Sequence, residues 1–143
     1  MNILITGVDG YIGTVLAAYL VARGHIVTGL DTGFYRDGWL YNDHALQRPR
    51  CINRDLRALT ENDVSGFDAV VHLAELSNDP LGQHNPELTY AINHQGSVAL
   101  ATLCRKNGVS RFVYTSSCSV YGTGSREFKS EDSETNPQTA YAK

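Results

Sequence analysis

The sequence predicts an α/β fold in which a doubly wound parallel sheet has the strand order 3-2-1-4-5. Short apolar runs alternate with segments of helical periodicity along the 143 residues, which is typical of parallel strands joined by crossover helices. A glycine-rich turn directly follows the first apolar run. Because crossovers between parallel strands are right-handed, these elements favour the strand order given, and the length suits one domain.

The elements of the first half follow from local patterns. Residues 2–6 are a short apolar run that predicts the first strand. Gly24 is a C-terminal stop for the first helix, whose apolar residues fall at helical spacing: Ile12, Val15, Leu16, Tyr19 and Leu20. Residues 25–30 predict the second strand and residues 51–54 a weaker third, with a long polar and aromatic loop between them.

The second half repeats the alternation. Thr60 is expected to cap a short helix, and residues 69–74 predict the fourth strand. We expect a polar turn at residues 77–82, which either faces a substrate or is a solvated turn. Asn85-Pro86 is typical of a helix start, and Asn107-Gly108 ends that helix; its apolar face includes Leu88, Ala91, Ile92, Ala99 and Leu103. Finally, residues 111–115 predict the fifth strand.

Ligands of such sheets bind beyond the carboxyl ends of the strands, near the point where the strand order reverses. This rule places four segments around one crevice: residues 7–13, Asp31, residues 73–74 and residues 116–117. The crevice is therefore the predicted functional site.

The first turn has the spacing GxxGxxG, formed by Gly7, Gly10 and Gly13. Glycines let the chain turn tightly, let the backbone approach a pyrophosphate and let the helix pack closely on the strand. The helix that starts at Tyr11 and Ile12 offers N–H groups and a positive dipole end to phosphates. Between a strand and an amphipathic helix, this spacing predicts a Rossmann-type dinucleotide site.

Asp31 ends the second strand, 18 residues after Gly13. A carboxylate there accepts hydrogen bonds from ribose hydroxyls and repels a 2′-phosphate, so it favours NAD over NADP. Arg36 lies a little further on and weakly qualifies that preference. The aromatic residues of the same loop are expected to pack it, or alternatively to flank the adenine: Phe34, Tyr35, Trp39 and Tyr41.

The bulk composition excludes several classes of protein. The formal net charge is −3, which argues against binding to nucleic acid. No apolar run approaches the length of a membrane span, and no signal peptide is visible, so we expect a cytoplasmic protein without membrane contact. The three cysteines and five histidines lack the spacing of disulfide frameworks or metal sites.

Further motifs make the whole chain resemble the extended short-chain dehydrogenase/reductases, in particular the NAD-dependent nucleotide-sugar epimerase and dehydratase group. They are Asp55-Leu56, His72-Leu73-Ala74, residues 93–97, residues 116–122 and residues 136–143, the last being similar to the approach to a YxxxK motif. Each motif is weak alone, but the order and the spacing together are specific.

The resemblance implies cofactor roles for five residues. Asp55 would accept the adenine amino group, and the backbone of Leu56 would contact the adenine edge. Leu73 and Ala74 would line the wall under the nicotinamide ribose. Asn93 would brace the catalytic strand or touch the cofactor side of the pocket.

The resemblance also implies a catalytic pair, Ser117 and Tyr141. Oxidation of a sugar alcohol by NAD leaves a hydroxyl proton, which a tyrosine can take as general base while a serine hydroxyl holds the sugar oxygen. Without the other motifs, Ser117 would be interpreted as a strand-end cap and Tyr141 as an ordinary helix residue.

Three positions depart from the family pattern. The family's lysine lies four residues after its tyrosine, whereas Lys143 lies only two residues after Tyr141. Glu75 stands where the family has a small residue, and either faces the substrate or disturbs cofactor contacts. Cys118 and Ser119 occupy the positions of the acidic pair found in the family's 4,6-dehydratases, which disfavours dehydration.

The sequence therefore predicts residues 1–143 as a Rossmann-type NAD(P)-binding domain, incomplete and without the substrate domain. The expected parent is a nucleotide-sugar epimerase that acts by transient oxidation at C4, and the 143 residues alone are expected to be inactive. A non-catalytic NAD-sensing or scaffold protein, or a reductase or dehydratase of the same family, are the alternatives. A homodimer is left open.

Overall fold

The computed structural model describes residues 1–36, 48–123 and 128–143. In these ranges a parallel sheet of five strands has the order β3-β2-β1-β4-β5, so the predicted fold class and strand order are confirmed. The strands are β1 Asn2–Thr6, β2 Ile26–Asp31, β3 Arg50–Asn53, β4 Ala69–His72 and β5 Arg111–Tyr114.

The helices cross over between these strands. They are α1 Tyr11–Ala22, α2 Glu61–Val64, α3 Asp79–His84, α4 Pro86–Thr89 and α5 Ser97–Lys106. The stretch Tyr90–Gly96 is π-helical and joins α4 to α5 without leaving helical backbone angles. One continuous helix therefore runs over residues 86–106, with a π stretch inside it, a feature that is frequent at functional sites.

The core has two layers because side chains alternate across β1. Leu4 packs on one face of the sheet with Leu100 of α5 and Val64 of α2. Ile3 and Ile5 point to the opposite face and pack there with Ala17 of α1. Helices thus cover both faces, as a doubly wound sheet requires.

Three local expectations have different outcomes. Thr60 does cap α2, in a capping box with Asp63. The prediction of a polar turn at residues 77–82 is wrong. Asn78 accepts a hydrogen bond from the Leu81 N–H and caps the start of α3. The loop aromatics Phe34 and Tyr35 are not buried, since they are 83% and 70% exposed. Trp39 and Tyr41 lie outside the described residues.

No helix within the described ranges has the length and apolar character that a membrane span needs. In the same part of the chain, no group of three or more His, Cys, Asp or Glu side chains is arranged to hold a metal ion. The described cysteines are not joined by disulfides.

Candidate functional site

The turn between β1 and α1 is packed between the ends of β2 and β4. Gly7 has φ +73°, in the left-handed region that favours glycine. Its N–H donates to the Leu30 carbonyl oxygen at 2.8 Å, and a Cβ added at Gly7 would lie 2.8 Å from the Ala74 nitrogen. The Gly10 N–H donates to the Gly7 carbonyl oxygen at 3.1 Å. The glycine-rich turn therefore lies at the predicted crevice.

Helix α1 begins directly on this turn. A Cβ added at Gly13 would collide with the Gly7 carbonyl oxygen and lie 2.8 Å from the Val8 Cα, so only glycine allows the close packing. The N-cap residue Gly10 supplies no side-chain hydrogen bond, and the Tyr11 and Ile12 side chains are 70% and 60% exposed. The positive end of the helix is thus accessible to an anion.

Asp31 is held by backbone groups at the end of β2. Its Oδ1 accepts from the Gly33 N–H at 2.8 Å, and its Oδ2 accepts from the Asp9 N–H at 3.1 Å. Each carboxylate oxygen retains a second lone pair. The carboxylate is consequently fixed in place and still able to accept hydrogen bonds from two hydroxyl groups.

Arg36 lies beside Asp31 but already has an anionic partner. Its Nε donates to the Asp9 carboxylate at 3.0 Å, and Asp9 is only 7% exposed. The Arg36 Nη2 lies 3.6 Å from the Cys51 Sγ. Burial, followed by the charge of Asp9, raises the pKa of the Cys51 thiol.

Asp55 follows β3, as expected, and its carboxylate is bound by Arg57. It accepts from the Arg57 Nη2 at 2.6 Å, from Nε at 3.0 Å and from the backbone N–H at 2.9 Å, and the pairing lowers the Asp55 pKa. The Leu56 side chain is in the core. An adenine amino group would therefore have to share this carboxylate with Arg57.

A buried polar chain crosses behind the crevice. Thr6 Oγ1 lies 2.6 Å from His72 Nδ1, and His72 Nε2 lies 2.7 Å from Ser97 Oγ. Because Thr6 Oγ1 accepts from the N–H groups of Leu73 and Ala74, both at 3.3 Å, its hydrogen points to Nδ1. His72 then donates through Nε2–H to Ser97.

Burial lowers the pKa of His72 to about 4, so the imidazole is neutral near pH 7. Ser97 in turn donates to the backbone carbonyl oxygen of Asn93. The chain of hydrogen bonds therefore joins β1 and β4 to the π-helical stretch. It also holds Leu73 and Ala74, the residues expected beneath the nicotinamide ribose, in a fixed position on Thr6.

Asn93 clamps the segment that follows β4. Its Oδ1 accepts from the Leu76 N–H at 2.8 Å, and its Nδ2 donates to the Leu76 carbonyl oxygen at 3.3 Å. Asn93 is 8% exposed. In the described contacts its side chain braces the segment after β4 rather than β5, the strand that leads to Ser117.

Ser117 lies after β5 at the start of the 3₁₀ turn Cys118–Tyr121. Its Oγ accepts from the Ser119 N–H at 3.2 Å and lies 3.1 Å from the Ser119 Oγ. The hydroxyl is half-buried. Ser117 is thus a local cap in this structure, and its hydroxyl remains at the carboxyl edge of the sheet.

Tyr141 lies in a groove of about 310 Å³ between the long helix and β5. The groove is largely apolar and is lined by Tyr90, His94, Val98, Phe112, Tyr114 and Tyr141, among others. Ser117 is not among the residues that line it. The turn after Ser117 nevertheless contacts the segment before Tyr141, because the Asn136 N–H donates to the Val120 carbonyl oxygen at 2.9 Å.

The segment that carries Tyr141 is anchored to α3. Thr139 Oγ1 donates to the Asp79 carboxylate at 2.7 Å and accepts from the Ala142 N–H at 3.1 Å. A Cβ added at Gly82 would lie 3.7 Å from the Tyr141 nitrogen. Helix α3, which the sequence did not predict, is thus a neighbour of the expected catalytic tyrosine.

Glu75 does not point away from the sheet into solvent. Its Oε1 accepts from the Tyr114 hydroxyl at 2.6 Å. Burial raises the pKa of the Glu75 carboxyl group. The pKa of the Tyr114 hydroxyl is also raised, mainly by burial and next by its hydrogen bond to Glu75. The residue that departs from the family pattern therefore has a partner on the neighbouring strand.

The crevice thus brings together the glycine turn, Asp31 and residues 73–74, as predicted from the strand ends. Sequence reasoning missed the Thr6–His72–Ser97 chain and the Asp9–Arg36 pair. Thr6 and His72 are register partners on adjacent strands, so a predicted register could have indicated their contact. No local pattern in the sequence marks the Asp9–Arg36 pair, because a loop brings it together.

Comparisons with known proteins agree with this geometry. The model of the NAD dependent epimerase/dehydratase family matches residues 3–143. A UDP-glucose 4-epimerase of Mycolicibacterium smegmatis is 33% identical, over 99% of this chain and 47% of the relative. The chain therefore spans about half the length of the curated relatives it matches.

Solved structures show the same likeness. The NAD-dependent NDP-hexosamine 5,6-dehydratase TunA, involved in tunicamycin biosynthesis, superposes with a TM-score of 0.85 at 32% identity, over 99% of this chain and 46% of that one. MoeE5, solved in complex with UDP-glucose and NAD, superposes with a TM-score of 0.84 at 29% identity, over 99% and 44%.

Proposed function

Because the chain belongs to the NAD dependent epimerase/dehydratase family, we propose that residues 1–143 are the NAD-binding domain of a nucleotide-sugar epimerase. NAD is the cofactor of that family. The observation that carries the proposal is the pairing of the glycine-rich turn with Asp31, whose carboxylate is fixed by two backbone N–H groups at the crevice.

The residues present fit a dinucleotide. A Cβ added at Gly10 would meet, among the described residues beyond its chain neighbours, only the Gly7 carbonyl oxygen within 4 Å, at 3.2 Å. The turn thus leaves room for a pyrophosphate beside the N-terminus of α1. Asp31 would accept the adenine-ribose hydroxyls, while Leu73 and Ala74 would lie under the nicotinamide ribose.

The cofactor part of the proposal is tested by calorimetric titration of the protein with NAD and with NADP. We expect NAD to bind and NADP to bind more weakly, because a 2′-phosphate would meet the Asp31 carboxylate. Equal or tighter binding of NADP would contradict the proposed preference.

In the proposed reaction, the substrate is a nucleotide-diphosphate sugar that is oxidised transiently at C4. NAD, when bound, would supply the hydride acceptor and donor for C4 of the sugar. Tyr141 takes the proton of the C4 hydroxyl and gives it back, and Ser117 hydrogen-bonds the C4 oxygen. The turn that begins at Ser117 and the segment that leads to Tyr141 are joined by a hydrogen bond from the Asn136 N–H to the Val120 carbonyl oxygen at 2.9 Å.

The reaction is tested on the parent protein that contains residues 1–143, incubated with NAD and UDP-sugars in D₂O, with the products analysed by NMR. Inversion at C4 by the parent without incorporation of deuterium is the expected result, whereas residues 1–143 alone should convert no sugar. Incorporation at C5 together with loss of water would identify a dehydratase. Binding of NAD by the parent without conversion of any sugar would favour the alternative of a non-catalytic NAD-sensing or scaffold protein.

A dehydratase is the second candidate, because the structural neighbour TunA is one. Cys118 and Ser119 stand where the resemblance leads one to expect an acidic pair for the elimination of water. Neither side chain matches the carboxyl groups of that pair, so epimerisation is preferred.

A further inference from the structure

The Asp9 side chain lies inside the glycine-rich turn but is used by a residue of the following loop. Its carboxylate accepts from the Arg36 Nε at 3.0 Å, while its backbone N–H donates to Asp31 at 3.1 Å. One residue therefore contacts both the acidic residue at the end of β2 and the nearest arginine that follows it.

The guanidinium of Arg36 is held on several sides. The Arg36 N–H donates to the Gly33 carbonyl oxygen at 3.2 Å. A Cβ added at Gly33 would lie 3.2 Å from the Arg36 Cζ and Nη2, so the guanidinium passes directly over this glycine. On its other side, Nη2 lies 3.6 Å from the Cys51 Sγ.

This arrangement bears on which cofactor can bind. An arginine beside the adenine ribose is the usual partner of the 2′-phosphate of NADP, because its planar group donates two parallel hydrogen bonds to a phosphate. Arg36 is close enough in sequence to serve in this way, but its charge is offset by the carboxylate of Asp9, which is 7% exposed.

Arg54 shows the same pattern next to the same strand end. Its backbone N–H donates to the Asp31 carbonyl oxygen at 3.0 Å, whereas its guanidinium pairs with Asp63 at 2.7 Å. Two arginines close to Asp31 are thus each bound to a carboxylate of the protein.

We propose that Asp9 is a second determinant of the preference for NAD over NADP, acting as a positioning residue that keeps Arg36 from the 2′-phosphate. The inference rests on the proposed NAD site. If Asp9 had only a structural role, its replacement would weaken the binding of NAD and of NADP alike. In the proposed role, its replacement changes the ratio of the two dissociation constants.

The test measures the Kd of NAD and of NADP by calorimetry for the unaltered protein, Asp9→Asn, Arg36→Gln and the double variant. Asparagine keeps the size of residue 9 and its backbone N–H but removes the charge. We expect Asp9→Asn to shift the ratio of the two Kd values about 10-fold in favour of NADP, compared with the unaltered protein. This is the scale of one charge-assisted hydrogen bond.

The Arg36→Gln variant makes the test specific. In that background, the further change Asp9→Asn should alter the ratio by less than about 2-fold, since the Arg36 guanidinium is no longer there to be released. Arg36→Gln alone should not shift the ratio toward NADP, because it frees no guanidinium and leaves the negative charge of Asp9 in place.

Several results would overturn the inference. One is an unchanged ratio in Asp9→Asn, and another is an equal effect of Asp9→Asn with and without Arg36. If Asp9→Asn does not fold, Asp9→Ser takes its place, and an unchanged ratio of the two Kd values in Asp9→Ser would overturn the inference. Failure of the unaltered protein to bind NAD would instead reject the proposed cofactor site itself, and this inference with it.

Discussion

His72 is a buried base whose ionisation is suppressed by its surroundings. Its two ring nitrogens are both occupied, by Thr6 and Ser97, and its pKa falls from 6.5 to about 4. The neutral ring fits a chain of hydrogen bonds in which Nδ1 accepts and Nε2 donates. Protonation would place a second donor opposite the Thr6 hydroxyl.

We expect His72 to make the stability of the protein sensitive to acid. Between pH 6.5 and pH 4 the unfolded chain binds the His72 proton and the folded one does not, so stability falls as the pH falls through this window. At about 1.4 kcal/mol per pKa unit, the loss is roughly 3 kcal/mol. Urea unfolding at pH 7 and pH 4.5 measures it.

The comparison variant is His72→Gln, which cannot titrate. It should be less stable at pH 7, because the hydrogen-bonded chain is broken, and should lose less stability on acidification. The exposed His84 provides the control, since His84→Gln should retain the acid sensitivity of the unaltered protein. Equal acid sensitivity of His72→Gln and the unaltered protein would exclude this role.

Glu75 and Tyr114 form a second residue pair that a stability measurement can detect. Their hydrogen bond is 2.6 Å long, although Tyr114 is 50% exposed, so solvent screens it. A double-mutant cycle of Glu75→Ala and Tyr114→Phe, followed by urea unfolding at pH 7, should give a coupling energy of about 1 kcal/mol. A coupling energy near zero would show that the pair does not form in solution.

The contacts of single residues are the part of the site that the sequence predicts least. Asp31 was predicted because the end of β2 is a position defined by the fold. His72 was recognised as a strand-end residue, but its partner Thr6 is 66 residues away and Ser97 is on a crossing helix. Such contacts depend on strand register and helix placement, which periodicity does not fix.

At the scale of elements, the turn between β1 and α1 combines two requirements that substitutions can separate. A Cβ at Gly13 would collide with backbone atoms of Gly7 and Val8, whereas a Cβ at Gly10 has one neighbour at 3.2 Å. Gly13 is thus needed for folding of the turn, whereas Gly10 leaves space at the proposed pyrophosphate position.

We therefore expect Gly13→Ala to lower the free energy of unfolding by about 2 kcal/mol or more, because backbone atoms must shift. Gly10→Ala should cost less than about 1 kcal/mol, since alanine readily adopts its backbone angles, φ −80° and ψ 173°. Both substitutions should raise the Kd of NAD about 10-fold or more. Urea unfolding gives the free energy of unfolding, and calorimetry gives the Kd of NAD. An unaltered NAD affinity in Gly10→Ala would refute the assignment of the glycine-rich turn as the pyrophosphate site.

The clamp of Asn93 on the segment after β4 gives a local prediction. In Asn93→Ala the Leu76 N–H loses its acceptor, which lies 2.8 Å away, so the segment should open more readily. We expect amide exchange at Leu76 to accelerate at least about 10-fold, as read by NMR. Asn107→Ala, which removes a side-chain hydrogen bond at the end of α5, should leave exchange at Leu76 unchanged.

The elements themselves were largely predictable because their signals are local. Apolar runs and helical spacing located the five strands and the helices α1 and α5. Helix α3 was missed because Pro80 and Gly82 suggested a turn, although Asn78 provides the same capping signal as Asn85. The π-helical stretch Tyr90–Gly96 was not predicted, since its side-chain spacing differs little from that of an α-helix.

At the scale of the whole molecule, the proposed cofactor site joins distant parts of the sheet. The turn after β1 bonds to Leu30 at the end of β2, and Gly7 packs against Ala74 after β4. A ligand that contacts all three segments binds only the folded sheet. Its binding energy therefore adds to the stability of the entire fold.

We expect NAD to raise the melting temperature of the protein and NADP to raise it less. At a concentration 100 times the Kd, a ligand of the folded state adds about 2.7 kcal/mol, which is roughly 5 to 10 °C for a domain of this size. Asp31→Ala should reduce the increase in melting temperature caused by NAD, and should bring it closer to the increase caused by NADP. The reason is that the substitution removes both the acceptor for the ribose hydroxyls and the charge that repels the 2′-phosphate. Asp68 is the matched control: its carboxylate accepts from the Asn2 N–H at 2.7 Å, at the amino ends of the strands and so at the opposite end of the sheet from the proposed site. Asp68→Ala should lower the melting temperature without changing the increment due to NAD. If Asp31→Ala kept the full increment, Asp31 would not contact the cofactor.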